Sequence, residues 1–530
     1  MTLALWTSPH QSQTFLKKFF GSEKHGFSAL IGRHNPCQVP CTPHPCWGID
    51  RLVPVARTGA PWLAAESLPG LTDSMLQFTG SIVAFPARVS LAAYTFTILA
   101  GGLVLTLPAA RTPGSAPISF LDGLFTATSA CCVTGLVVRS TLHDFSLLGQ
   151  GVILLLMQLG GLGIMTITTL MAFQVGGQAT LHQRAVIAET MGIRSGRDLR
   201  WVPLAVLGTT LTVELIGFGL LCATTWGSAA PGEVVWRALF HSVSAFCNAG
   251  FALGDDSLMA YGNNPAMLTV ICGLIIVGGI GFPVIFDVIS RLQKHRDFWL
   301  RLHLQSKLML LGTGILLLFG AMTFVALEWN KALVEDTLTG RLAKGLFHAT
   351  TCRTAGFNTV DYAGLTNATL FLTIILMAIG AGPCSTGGGF KVSTLMTLGI
   401  RAWASFRGQR QVNFGGRTIP EVAVKRATAT ALLFATVGIA ALVGLLVVEA
   451  DNGVSSRPRW FLEALFECIS ALGTVGLSTG ITSSLSEPGK LVIIALMLIG
   501  RLGPIGAAAA LSREQDVYQL AYPEEEPLIG

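Results

Sequence analysis

Four stretches of this chain share one pattern, and each is too short to cross a membrane although it lies between apolar runs that are long enough. The first is LFTATSACCVTGLVV from Leu124 to Val138. It returns as LFHSVSAFCNAGFAL from Leu239, as LFHATTCRTAGFNT from Leu346 and as LFECISALGTVGLST from Leu465. Each copy opens on Leu-Phe, runs through small and hydroxyl residues, and reaches a glycine nine or ten residues after the phenylalanine: Gly135, Gly250, Gly356 and Gly476. Spacings of 115, 106 and 120 residues between these glycines make a fourfold internal repeat, which constrains the fold before any single motif does.

Half the residues are hydrophobic (51%), only 12% are charged and the mean hydropathy is +0.61, whereas about a quarter of a soluble chain is charged. The chain therefore reads as an integral membrane protein. Barrel strands would alternate over about ten residues, but the apolar runs here approach the roughly twenty that a spanning helix needs. The predicted fold is an all-α polytopic membrane protein of four pseudo-symmetric units around a central pore. Spans are expected near residues 89–108 and 148–172, 202–226 and 264–290, 308–327 and 368–400, and 427–448 and 490–511. That gives eight full spans, with the four repeat stretches left as re-entrant segments. Unit boundaries fall at 86–180, 181–300, 301–410 and 411–512, followed by a short tail at 513–530.

Residues 1–85 differ, being rich in Pro, His and Cys, and are expected to be poorly ordered; Met75 is a candidate start. Within them His34, Cys37, Cys41, His44 and Cys46 lack the paired spacings of a zinc site, and no metal is assigned there. The eleven cysteines, scattered mostly through apolar runs, read as small packing residues rather than a disulfide framework.

Basic residues collect between units: Arg184, Arg194, Arg197 and Arg200; Arg291, Lys294, Arg296, Arg301 and Lys307; Arg401, Arg407, Arg410, Arg417, Lys425 and Arg426. The positive-inside rule makes these loops cytoplasmic, a topology signal first, with docking of a soluble partner as their second use; no nucleic-acid partner is expected. The repeat stretches then enter from the opposite face. A short helix entering from outside points its C-terminal carbonyls inward, which favours a cation there. The residues just beyond it are Val133-Thr134-Gly135, Asn248-Ala249-Gly250, Thr354-Ala355-Gly356 and Thr474-Val475-Gly476. They can turn their carbonyls to the axis as an ion-selective filter, because irregular backbone at membrane depth is tolerated where it lines a cavity.

Each second span carries glycines of its own, in QLGGLGIMT, VGGIGFP, AIGAGPCSTGGGFKVST and LIGRLGP. The third copy stands out. Gly380, Gly382, Pro383, Gly387, Gly388 and Gly389 cannot sustain a helix, at a cost of about 1 kcal/mol per glycine and 3 per proline, so a loop across the cavity is expected there. GxxxxGK[ST] is absent, which excludes a phosphate loop. Arg501, within the fourth second span, reads as a barrier or gate to cations, with a structural pair to Glu214 or Asp287 as the alternative. Arg353, next to Thr354, reads as a filter-bracing residue partnered by Asn248 or Glu467. His241 and His348 read as satisfied helix residues.

Together these motifs resemble the Trk/Ktr/HKT superfamily of potassium transporters, nearest to the Ktr-type ion-translocating subunit. The resemblance runs from about Pro86 to Leu511. It implies four M1-P-M2 units, potassium bound at Gly135, Gly250, Gly356 and Gly476, and a homodimer in the cell membrane served by a cytosolic nucleotide-binding (RCK-type) ring. It also implies an intramembrane gate at 380–391, including Gly380, Gly382, Gly387, Gly388, Gly389 and Lys391, with Arg501 as its positive residue. Relatives with serine at the first filter glycine tend to admit sodium, so Gly135 points to potassium. Cys247 stands where relatives often have Asn, and Pro383-Cys384 interrupts the usual gate sequence. The short tail leaves any regulator on a separate chain.

The expected function is potassium uptake without covalent chemistry or a covalent cofactor, with sodium as a coupling or activating ion. A sodium-permeable relative of the same fold is the alternative. An intramembrane protease, the reading from another class, would need a Ser-His or paired-Asp constellation on adjoining helices, and none is evident.

Overall fold

The computed structural model describes residues 86–163, 201–292 and 298–503. The head with its His and Cys cluster, the first basic loop, Lys294, Arg296 and the tail lie outside the described residues. Long apolar runs with few helix breakers form α1 (Pro86–Leu105), α4 (Trp201–Thr225), α8 (Leu304–Glu328) and α12 (Glu421–Val448). Each precedes one repeat stretch, which folds as a short helix: α2 (Phe120–Cys131), α5 (Pro231–Phe246), α9 (Leu338–Thr351) and α13 (Trp460–Gly473). A second helix comes after it each time: α3 (Leu147–Leu162), α6 (Pro265–Ile280), α10 (Asn367–Ala378) and α14 (Glu487–Leu502). The four second helices share one start signal, a polar N-cap side chain accepting a backbone N–H three residues on: Ser146 from Gly149, Asn264 from Met267, Thr366 from Thr369 and Ser486 from Gly489.

Of the eight expected spans, broken at glycines only in the third unit, several are shorter among the described residues. Among the described residues three helices are long and apolar enough to cross a membrane, Leu204–Thr225, Leu304–Glu328 and Glu421–Val448. A fourth counts only if α6 and α7 (Phe282–Arg291), bent by 100° at their junction, are taken as one span. The second helices all stop after 12 to 16 residues. The cause is local: α3, α6 and α14 end at Gly163, Gly281 and Gly503, with φ of 75°, 102° and 78°, a conformation that leaves the helical path and that glycine alone adopts cheaply. The third copy is therefore not the odd one in being interrupted. Its continuation is a loop at 379–391 leading into α11 (Val392–Phe406). Residues 164–172 and 504–511, assigned from sequence to the same spans, lie outside the described residues.

The packing is cyclic. Within units α1 packs on α2, α4 on α5, α8 on α9 and α12 on α13; between units α3 packs on α5, α6 on α9, α10 on α13 and α14 back on α2. Lys490 of α14 reaches Asp122 of α2 at 2.9 Å, and Asp122 also pairs with Arg139 at 3.0 Å, which ties the fourth unit to the first. In the last two units a buried glutamate at the end of the long helix caps the second helix. Glu328 accepts from the Thr366 N–H and hydroxyl, and Glu449 from the Ser486 N–H and hydroxyl. A carboxylate at a helix N-terminus meets both the free N–H groups and the positive end of the dipole.

Candidate functional site

Each repeat stretch leaves its short helix in the same way. Val133, Asn248, Thr354 and Thr474 adopt φ of 57°, 60°, 65° and 51°, and the glycines two residues later adopt 92°, 73°, 76° and 92°. No other region of the described chain repeats this alternation. A left-handed β-branched or amide residue is costly, by about 1–2 kcal/mol, and persists only where its surroundings hold it. Here a hydroxyl from each short helix does so. Ser129 and Ser470 accept the N–H of Gly135 and Gly476 at 3.0 and 3.1 Å. Ser244 and Thr351 donate to the carbonyls of Phe251 and Phe357 at 2.7 and 2.8 Å. Sequence reasoning noted the hydroxyl-rich run without assigning these four residues a role; the signal was their constant offset of five or six residues before the glycine.

The four glycines close a ring. A Cβ on Gly135 would fall 2.5 Å from the Ala249 carbonyl oxygen, one on Gly250 2.9 Å from that of Ala355, one on Gly356 against that of Val475, and one on Gly476 against that of Thr134. Each glycine thus faces the carbonyl that precedes the next glycine, in the order of the chain and back to the start. Val133, Thr134, Asn248, Ala249, Thr354, Ala355, Thr474 and Val475 are all buried behind it. Gly160, Gly278 and Gly500 of the second helices lie so near the carbonyls of Cys131, Phe246 and Leu472 that no side chain fits.

The glycine loop crosses beneath this ring. A Cβ on Gly387 would strike the Thr354 hydroxyl and one on Gly388 that of Thr474, and the Gly388 N–H donates to Thr474 Oγ1 at 3.1 Å. Gly382 N–H donates to Gly279 O at 2.8 Å and Gly380 N–H to Phe390 O at 2.7 Å. Thr386 Oγ1 donates to Phe246 O at 3.1 Å. Lys391 Nζ donates to the Gly387 and Gly388 carbonyls at 2.8 and 3.1 Å, drawing the loop tight on itself.

Arg501 joins three elements. Its guanidinium donates to the Thr386 carbonyl in the loop, to the Gly160 carbonyl at the end of α3, and to Tyr94 Oη at 3.3 Å. The sequence-based alternative of a pair with Glu214 or Asp287 is corrected: Glu214 is engaged by Gln158, while Asp287 is held by Arg291, His303 and Ser306. The partners expected for Arg353 are likewise elsewhere. Asn248 lies 3.3 Å from the Thr354 hydroxyl, and Glu467 accepts from Ser478 and Thr482. Arg353 is only 6% exposed, its Nε has no partner among the described residues, and it lines a small cavity with Ile275, Ile276, Gly279, Leu317 and Thr350. His241 accepts the Leu253 N–H at 3.1 Å, and His348 meets Tyr362 Oη at 3.0 Å, so both are satisfied as expected.

Four short helices that end at a closed ring of glycines and neighbouring carbonyls, with a glycine loop and a guanidinium packed against it, define the class: an all-helical polytopic membrane protein with a fourfold internal repeat. The comparisons agree. The family model described as TrkH, cation transport protein, matches residues 74–519, and the chain belongs to this TrkH/Ktr family of membrane subunits. It is 38% identical over 445 residues to the Ktr system potassium uptake protein B of Vibrio alginolyticus, covering 84% of this chain and 94% of that one. It is 37% identical over 450 residues to the potassium/sodium uptake protein NtpJ of Enterococcus hirae, covering 84% and 97%. The fold resembles the crystal structure of the potassium transporter TrkH from Vibrio parahaemolyticus, with a TM-score of 0.63 at 19% identity over 80% of this chain and 83% of that one. The protein is a multi-pass membrane transporter and not an enzyme.

Proposed function

We propose that this chain is the ion-translocating subunit of a potassium uptake system in the cell membrane, built of four M1-P-M2 units with the unit boundaries given above. Potassium sheds its water against carbonyls of Val133 to Gly135, Asn248 to Gly250, Thr354 to Gly356 and Thr474 to Gly476, which replace its hydration shell. Transport runs down the electrochemical gradient, and sodium acts as a coupling or activating ion. The loop 380–391, drawn in by Lys391 and held by Arg501, is the gate. Two copies form a dimer, and a separate cytosolic nucleotide-binding ring acts on it. The observation that carries this reading is the closed ring of glycines at matching positive φ.

Gly135→Ser tests it. At φ 92°, with the Ala249 carbonyl 2.5 Å from the new Cβ, any side chain forces that segment to shift. Potassium-over-sodium preference, measured as ion flux into vesicles holding the purified protein, should fall about tenfold for a displacement costing roughly 1–2 kcal/mol. Unchanged preference would mean that this stretch is not the filter. The second reading is a transporter with poor discrimination, favoured by the 37% identity to a relative named for both potassium and sodium. Equal potassium and sodium flux in the unmodified protein would establish it.

A further inference from the structure

Glu214 is an acid at the middle of α4, one of the helices long and apolar enough to span, and it is 6% exposed. Among the described residues no cation pairs with it. Its partners are instead polar groups on two other helices. Oε2 accepts from Gln158 Nε2 of α3 at 2.9 Å, and Oε1 lies 3.8 Å from the Cys247 thiol at the end of α5. The thiol in turn lies 3.3 Å from Gln158 Oε1, and the Glu214 backbone carbonyl accepts from Ser242 of α5 at 2.7 Å. The three side chains therefore form a closed triangle. Cys247 is fully buried and is packed closely against Gly161, one turn beyond Gln158 on α3, where a Cβ would lie 2.5 Å from the sulfur.

The triangle sits immediately behind the ring. Cys247 caps α5, and the next residue, Asn248, takes the left-handed turn that starts the second carbonyl segment. A charged or polar group in hydrocarbon is costly and, by default, functional. Among the described residues the Glu214 carboxylate is met by the amide of Gln158 and the thiol of Cys247. We infer that Glu214, acting through Gln158 and Cys247, is a positioning residue for the Asn248 to Gly250 segment and so helps to set ion selectivity. The inference rests on the filter reading above. It also gives the departure at Cys247 a role: the thiol is the handle by which neighbouring helices grip the second segment.

The test uses the full-length protein in vesicles, with potassium and sodium flux measured for Glu214→Leu, Glu214→Gln, Cys247→Ala and the Glu214→Leu/Cys247→Ala double variant. Glu214→Leu should lower potassium-over-sodium preference on the order of tenfold, the effect of one buried hydrogen bond left unmade. Glu214→Gln, which keeps an acceptor for Gln158, should restore most of it. The double variant should lose no more than Cys247→Ala alone, because coupled residues are not additive. Unchanged preference in Glu214→Leu, or losses that multiply in the double variant, would overturn the inference. If Glu214→Leu yields little folded protein, Gln158→Leu replaces it in the same cycle with the same two criteria. Gly250→Ala, whose Cβ would meet the Ala355 carbonyl at 2.9 Å, separates the two levels of the argument. No change there overturns the filter reading itself, whereas a change there without one in the Glu214 or Gln158 variants overturns only the positioning role.

Discussion

Replacing Arg501 with alanine removes the one side chain that fastens the glycine loop to helices of two other units. The guanidinium donates to the Thr386 carbonyl in the loop and to the Gly160 carbonyl on α3, with Tyr94 as a third partner. The loop keeps its remaining ties, Thr386 Oγ1 to Phe246 O, Gly388 N–H to Thr474 Oγ1 and Lys391 to its own carbonyls. The loop itself loses one hydrogen bond with a charged donor, that from Arg501 to the Thr386 carbonyl, worth about 1.5–3 kcal/mol. At about 1.36 kcal/mol per tenfold, the ratio of crossing to withdrawn loop falls by roughly 10- to 150-fold. On the gate reading proposed above, removing the positive charge beside the ring also lowers the barrier to a cation. Potassium flux per folded molecule in vesicles should therefore rise, up to the limit set by how often the wild-type loop is already withdrawn. Arg501→Lys, which keeps the charge but cannot bridge both carbonyls with a planar fork, should lie between the two. Flux equal to or below wild type at equal folded protein, judged by elution and thermal melting, would refute the reasoning.

Two further outcomes concern the outer side. Glu449→Ala leaves the Ser486 N–H and hydroxyl without their acceptor and should cost about 1–3 kcal/mol, seen as a lower melting temperature with ion preference unchanged. At Asp122 burial pushes the carboxyl pKa up, but Lys490 and Arg139 outweigh it and hold it below the ordinary value. A depressed folded pKa means stability that is present above the ordinary carboxylate range, about 4, and is lost as pH falls below it. Asp122→Asn should be less stable at neutral pH and should lose that part of the acid sensitivity in melts taken from pH 7 downward.

The repeat, the long helices α4, α8 and α12, and the loop in the third unit were all legible from residues, because length, hydropathy and glycine content are local properties. The shortness of the second helices in the other three units was not. Gly163, Gly281 and Gly503 sit within apolar runs, and a hydropathy count passes over a glycine whose φ is positive. Side-chain partners were misjudged for a related reason. Arg501 and Arg353 invited pairing with carboxylates, yet Arg501 goes to the main-chain carbonyls of Thr386 and Gly160, groups that every residue carries and no sequence pattern marks. The hydroxyls Ser129, Ser244, Thr351 and Ser470 fall between these cases: their spacing was visible, but only the left-handed turns they support explain it.

The ring is made of segments 115, 106 and 120 residues apart, and its last contact joins Gly476 to Thr134, 342 residues earlier. During synthesis three of its four segments can be present while the fourth is still missing, and such an open arc makes only two of the four contacts, with no Val475 carbonyl for Gly356, no Gly476 for the Thr134 carbonyl and no Lys490 for Asp122. Closure is thus among the latest and most non-local events in folding, the kind that loop entropy makes slow. A chain cut short before α13 holds only the first three segments, so the ring stays open until the fourth unit has been made.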